Sequence, residues 1–278
     1  MTFATDYLQQ LERIGVRLSL PAVRALHLPP LSDGIRKWGE FCALELEDGS
    51  LGLSYVMLGD TLERLTEVHQ TLGLEGADAL AVARGYVGGH DLQRTLGFAA
   101  ANAITRHFFD RAAYAPPDST DSIGGLQPRA GEHIGMIGYF APLAGRIVDS
   151  GARLTVIELR ADLVGSQQGF EITLDATRLQ TCDKVLSTST ILLNDTLDDV
   201  LAHCAGSRRF VMIGPSAGCL PDALFARGVT GLGGTWIEDR DDFVAILPTG
   251  ESWSRCARKT MLGAADYPGT EALLARLG

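Results

Sequence analysis

Residues 214–218 read Gly214-Pro215-Ser216-Ala217-Gly218, a G-x-S-x-G pattern between an apolar run and a helical segment. That pattern can raise a serine nucleophile on a tight strand-to-helix turn, but the chemistry needs a carboxylate and then a histidine further along the chain. The last histidine is His203, so the order fails, and the segment is expected to bind an anion or another ligand instead. Upstream, Ser187-Thr188-Ser189-Thr190 sets hydroxyls in succession at the end of another apolar run, and Asn194-Asp195-Thr196 opens the next helix. Such hydroxyls can donate to a phosphate, a carboxylate or an oxyanion, while Asn194 or Asp195 equally suits a helix cap.

A third segment, Gly138-Tyr139-Phe140-Ala141-Pro142, combines a glycine for close backbone approach with a proline pre-set for a first helical turn. Glu158 follows Gly138 by 20 residues, the separation of the acid that binds ribose hydroxyls in dinucleotide folds. The glycines, Gly135 and Gly138, spell G-x-x-G and not G-x-G-x-x-G, so a compact turn followed by a surface glutamate fits as well. Glu158, Cys219 and Asp239 are weak metal candidates. Cys219 at a helix start suits a soft metal or plain packing, and Asp239 can close a site or cap a turn.

Each of these segments ends a short apolar run. The runs cover 133–138, 153–158, 183–186, 209–214 and 229–237, with helical stretches at 142–150, 175–182, 195–204 and 221–226 between them. Five alternations predict a parallel, doubly wound sheet, because parallel strands need crossovers. Ligands bind beyond the carboxyl ends of such strands, so the residues above are expected on one rim.

The first third reads differently. Residues 2–14 have the spacing of an amphipathic helix, 40–47 and 51–58 flank Asp48-Gly49 as an antiparallel hairpin, and 61–72, 77–84 and 92–109 read as helices. Asp60 and Asp91 are expected to cap the first and last of these three. In the last, Leu92, Leu96, Ala99, Ala100, Ala103 and Phe108 should face inward, and Asn102 reads as a satisfied core amide. Residues 113–132 are rich in Pro, Gly, Ser and Asp and lack periodicity, so they are expected to link domains at 1–112 and 133–278, or to cover a site.

The 278 residues carry 24 Lys+Arg against 34 Asp+Glu, a net charge of −10, which argues against nucleic acid and anionic lipid as partners. Mean hydropathy is +0.10, and neither an apolar span of membrane length nor a signal-like start is present, so a cytoplasmic protein is expected. The five cysteines are odd in number and never spaced as CxxC, and the six histidines show no HxxxH or HExxH spacing. Reduced thiols and structural imidazoles are expected.

The strings IGYFAPL, VIELR, CDKVLSTSTILLNDTLDDVL and IGPSAGCLPDALFARGVTGLGGTWIED resemble, in order, the C-terminal domain of the family called putative heavy-metal chelation proteins. LELEDGSLGLSYVML and LGFAAANAI resemble that family's companion domain, which is similar in fold to the N-terminal domain of enolase. The resemblance implies an α/β protein: an α+β enolase-N-terminal-like domain, then a Rossmann-like parallel sheet, with a site at their junction. It implies ligand-binding roles for Asn102, Gly138, Tyr139, Phe140, Pro142, Glu158, Thr188, Thr190, Asn194, Gly214, Pro215, Ser216, Pro221 and Asp239. Ser189, Ala217 and Gly218 complete the two rim turns. Where family members tend to carry a threonine-glycine-threonine-threonine turn, this chain has Ser187-Thr188-Ser189-Thr190, with a side chain in place of the glycine. The implied ligand is a small molecule, a divalent metal or a metal chelate. A nucleotide-cofactor enzyme using S-adenosylmethionine or NAD is the alternative, and a non-catalytic scaffold the third. A homodimer is the default assembly.

Overall fold

The computed structural model describes residues 1–31 and 40–277. Helix α1 (Phe3–Arg17) starts at Thr2, whose hydroxyl accepts from Thr5 N–H, and buries Phe3, Tyr7, Leu11 and Ile14. Strands β1 (Val23–His27), β2 (Phe41–Leu46) and β3 (Leu51–Tyr55) form an antiparallel sheet in that order. Its hairpin turns at Gly49, whose φ of 90° needs no Cβ. Helices α2 (Thr61–Val68), α3 (Ala79–Ala83), α4 (Gly85–Gly88) and α5 (Leu92–Arg111) follow.

The second half runs β4 (His133–Ile137), α6 (Ala141–Asp149), β5 (Arg153–Ile157), β6 (Gly165–Gln167), β7 (Phe170–Thr173), β8 (Lys184–Thr188), α7 (Leu197–His203), β9 (Arg209–Ile213), α8 (Asp222–Phe225), β10 (Gly231–Ile237), α9 (Arg240–Ile246), β11 (Ala257–Gly263) and α10 (Thr270–Leu274). These strands build one sheet in the order β11-β10-β9-β8-β4-β5-β7-β6. The six from β7 to β10 pair in parallel, and β6 and β11 close the edges in antiparallel fashion. Counted in chain order, the parallel strands lie 3-2-1-4-5-6, the Rossmann arrangement. The fold is thus a small α+β unit followed by a Rossmann-like sheet, as the resemblance implies.

The two faces of the large sheet are covered by different elements. Ala144 and Ile147 of α6 pack on one face with Met136, Val211, Ile123 and Leu126. Leu197 and Val200 of α7 and Ala223 and Leu224 of α8 belong to a core that continues into α1, α4 and α5. Residues 117–119 run beside β11, with Ser119 N–H donating to Lys259 O and Met261 N–H to Pro117 O, both at 3.0 Å. With Ile123 and Leu126 buried, this part of the 113–132 segment lies along the sheet.

Several local expectations give way to packing. Helix α5 is buried on all sides from Thr95 to Thr105, not along one stripe, because α3 and α4 cover one flank and β2 and β3 another. Neither Asp60 nor Asp91 caps its helix; the Asp91 carboxylate takes Arg64 at 3.0 Å instead. Residues Ala176–Thr181 wind as a 3-10 helix, not an α-helix. The hairpin forms as expected, and β2 is buried throughout on both faces. Cys42, Leu44 and Leu46 join the core of α1 and α5, while Phe41 and Ala43 meet Phe243 and Ile246 of α9 on the other side. Glu45 on that second face is fully buried and takes Arg240 Nη2 at 2.7 Å, His27 Nε2 at 2.8 Å and Arg24 Nε at 3.2 Å.

Candidate ligand site at the carboxyl rim

Crossovers α6 and α7 leave β4 and β8 toward opposite faces, so the crevice between these neighbouring strands is the topological switch point of the sheet. Gly138 ends β4 with φ 80°, and a Cβ there would lie 3.1 Å from Thr188 Cγ2. Gly214 ends β9 with φ 143°, and a Cβ there would lie 2.3 Å from Ser189 Oγ. Glycine at both positions lets the loops after β4, β8 and β9 interlock. Thr188, Ser189, Gly138 and Gly214 therefore share one rim.

Within the middle loop, Thr188 Oγ1 accepts from Thr190 N–H at 3.2 Å and donates to Thr190 Oγ1 at 3.0 Å. Asn194 Oδ1 accepts from Thr196 N–H at 3.3 Å and from its hydroxyl at 2.6 Å, a local turn in which the side chain substitutes for a backbone acceptor. Ser187 and Ser189 are buried, whereas Thr188 and Thr190 are partly open.

Glu158 follows β5 beside Gly138. Its Oε1 accepts from Tyr139 N–H at 2.9 Å, and its Oε2 from Leu159 N–H at 2.9 Å and Arg160 N–H at 3.3 Å. Three backbone donors satisfy the carboxylate, which binds the β4 loop to the β5 loop. Tyr139 leans on Phe170 of β7, with ring centroids 5.8 Å apart, and Phe140 is half-buried beside it. Pro142 sits exposed in the first turn of α6.

The N-terminal unit reaches the same region through Tyr55, at the end of β3. Burial pushes its phenol up to about 12, and the carboxylates of Glu40 and Glu158 add to the effect. Tyr55 was not singled out by spacing; an aromatic at a strand end is the only signal it offers.

The turn 214–218 is fixed from the N-terminal side by Asn102. Asn102 Nδ2 donates to Leu53 O at 2.8 Å and to Ser216 O at 3.2 Å, and Tyr7 OH donates to Asn102 Oδ1 at 3.0 Å. Asn102 is the satisfied core amide that its place in α5 suggests, and it also joins the two units. With Arg106, Pro215, Gly218, Thr235 and Trp236 it lines a cavity of about 30 Å³, room for a water. Ser216 itself is fully buried, and its Oγ has no hydrogen-bond partner among the described residues. A buried hydroxyl without a partner costs roughly 1–3 kcal/mol in desolvation. Ser216→Ala should therefore leave stability unchanged or raise it by about 1 kcal/mol in urea unfolding. A loss of about 2 kcal/mol or more would mean that the hydroxyl is engaged.

The weak metal candidates do not converge. Cys219 is buried in the core with Tyr7 and Tyr86, and burial raises its thiol to about 12, the reverse of an activated ligand. Asp239 Oδ1 accepts from Asp242 N–H at 2.9 Å and caps α9. Pro221 is buried at the start of α8. Among the described residues, no group of three or more His, Cys, Asp or Glu side chains could hold a metal ion. This donor set does not fit a bare heavy-metal ion, which calls for thiolate or imidazole ligands. No helix among the described residues is long and apolar enough to cross a membrane.

Fold and rim together define a Rossmann-like α/β protein joined to a small α+β unit. The chain belongs to the family described as "Putative heavy-metal chelation" (DUF364), whose family model matches residues 122–265, and a second model with the same description (DUF4213) matches residues 39–105. A solved DUF364 protein of Pyrococcus horikoshii, titled as having unknown function, is similar with a TM-score of 0.66 at 19% identity, covering 94% of this chain and 98% of that one. A DUF364 protein of Desulfitobacterium hafniense DCB-2 gives the same score and identity, covering 92% of this chain and 99% of that one. An uncharacterized protein of Methanocaldococcus jannaschii is 29% identical over 160 residues, 56% of this chain, and the match spans 59% of that relative's length.

Proposed function

We propose that this protein binds a small molecule, or a metal ion already held by its own chelator, at the carboxyl rim between β4 and β8, with the N-terminal unit closing one side. In this proposal residues 1–112 and 133–278 act as two domains, and 113–132 joins them. The observation that carries it is the interlock of Gly138, Thr188, Ser189 and Gly214 at the switch point, beside Glu158. The partly open hydroxyl of Thr190, which accepts from Thr188 and keeps its own proton to donate, suits the oxygen atoms of a chelator, and the family description supports metal chemistry. A chelated ion also removes the need for a protein ligand cage, which the donor set does not supply. A nucleotide is less well served, because its ribose would compete with the amides of Tyr139, Leu159 and Arg160 for Glu158. The net charge of −10 favours a partner other than nucleic acid.

Calorimetry on the intact chain tests this with nickel alone, citrate alone, nickel citrate, S-adenosylmethionine and NAD. Nickel citrate should bind more tightly than either component, and Thr190→Val should weaken it about tenfold through one lost charge-assisted hydrogen bond. Equal binding of free nickel to wild type and variant would refute the proposal, as would stabilisation by a nucleotide that Glu158→Ala abolishes.

A further inference from the structure

The hydroxyl loop after β8 is held from outside the Rossmann-like sheet. Asp195 adopts φ 59°, a left-handed conformation that few residues other than glycine, asparagine and aspartate take. Its carboxylate is exposed, yet both oxygens are gripped by the guanidinium of Arg94, from the first turn of α5. Arg94 itself is largely covered, with 15% side-chain exposure, and its guanidinium carbon lies 5.4 Å from the centroid of the Tyr86 ring. Tyr86, in α4, is buried and donates its hydroxyl to Leu192 O at 2.6 Å. Two residues of the N-terminal unit, stacked on one another, thus hold the loop at Leu192 and Asp195, immediately beyond Thr188 and Thr190.

We propose that Arg94 and Tyr86 are positioning residues that set the conformation of residues 188–196, so that these two side chains prepare the rim for its ligand without touching it. The fork of Arg94 suits this role, because two parallel N–H donors fix the plane of a carboxylate where a lysine would only attract it. A left-handed aspartate persists when its surroundings over-determine it, and the paired contacts at Leu192 and Asp195 supply that constraint. The ligand part of this inference rests on the site proposed above; the positional part does not.

Ligand-free hydrogen exchange on the whole chain separates the two. Arg94→Ala should speed exchange of amides in residues 191–196 about tenfold while β4, β8 and β9 keep their protection. Asp195→Asn keeps a residue that tolerates the left-handed region but loses the charge, and it should have the same local effect. The double variant should add nothing further, since both changes remove one interaction. Arg94→Lys should fall between wild type and alanine, and Tyr86→Phe should loosen the loop from the Leu192 side. Unchanged exchange at 191–196 in Arg94→Ala would overturn the proposal. So would additive effects of the two single variants, or a loss of protection spread evenly across the sheet. Nickel citrate titrated into the same proteins should bind about tenfold more weakly to Arg94→Ala and to Asp195→Asn. Failure of the wild type to bind it would remove the ligand site and leave the exchange result to decide the brace.

Discussion

Gly52→Ala is expected to cost more than about 4 kcal/mol in urea unfolding, or to prevent soluble folding outright. A Cβ at Gly52 of β3 would lie 2.1 Å from both Ala103 N and Ala99 O. Those are backbone atoms of α5, so relief requires the helix to move, and α5 is buried from Thr95 to Thr105 against several elements at once. Gly97 of the same helix is in a similar state, with a Cβ falling 2.2 Å from Tyr86 N. Gly218→Ala is the control: nothing lies within 4 Å of a Cβ there, and it should be neutral within about 0.5 kcal/mol. A loss below about 1 kcal/mol at Gly52 would show that strand and helix are farther apart than described.

Asn102→Ala should cost about 3 kcal/mol. The change deletes one amide that serves three buried groups, leaving the carbonyls Leu53 O and Ser216 O without its N–H donors and Tyr7 OH without its acceptor. Each stranded group carries a desolvation penalty on the order of 1–3 kcal/mol, and Tyr7 keeps a second contact at Thr105 Oγ1, 2.9 Å away. The effect should appear twice, as a lower urea midpoint with unchanged slope and as weaker binding of nickel citrate, because the 214–218 turn loses its anchor. A stable protein with normal binding would mean that the turn holds itself.

Both expectations rest on features of the string LGFAAANAI, and they differ in how far that string reveals them. Its small residues announce close helix packing. They do not announce that β3 and α4 occupy the space, since neither partner is encoded within the helix. The rim shows the same division. The spacing from Gly138 to Glu158 matches that of a ribose-binding acid, and in the structure Glu158 Oε1 accepts from Tyr139 N–H. The chemistry differs from the ribose-binding expectation, because a carboxylate looks the same in sequence whether it receives a ligand or its own backbone. Ser216 likewise has the spelling of an exposed nucleophile and lies fully buried.

The outer strands β7 and β11 carry no such signal in the sequence. Phe170–Thr173 and Ala257–Gly263 mix polar and apolar residues, as strands near the rim of a sheet with partly open faces can, and so lack the continuous apolar run that marks the other five strands of the parallel set. Without β7, the 3-2-1-4-5-6 order could not be written down, although the parallel sheet could.

What the amino-acid sequence determined by itself is the ladder of β-α alternations, the small-residue helix and the glycines and hydroxyls that end up on one rim. These are local properties: periodicity decides which side of an element is apolar, and a turn residue decides what backbone angles are affordable. Tertiary structure alone decided the partners of buried polar groups. Glu45 alternates like a solvent-facing residue and becomes fully buried because Arg240, 195 positions later, arrives on α9 to meet it. Asp195 and Arg94, 101 positions apart, meet in the same way. A charge or an amide is tolerated inside only where a complementary group stands opposite, and which group that is depends on how distant elements dock.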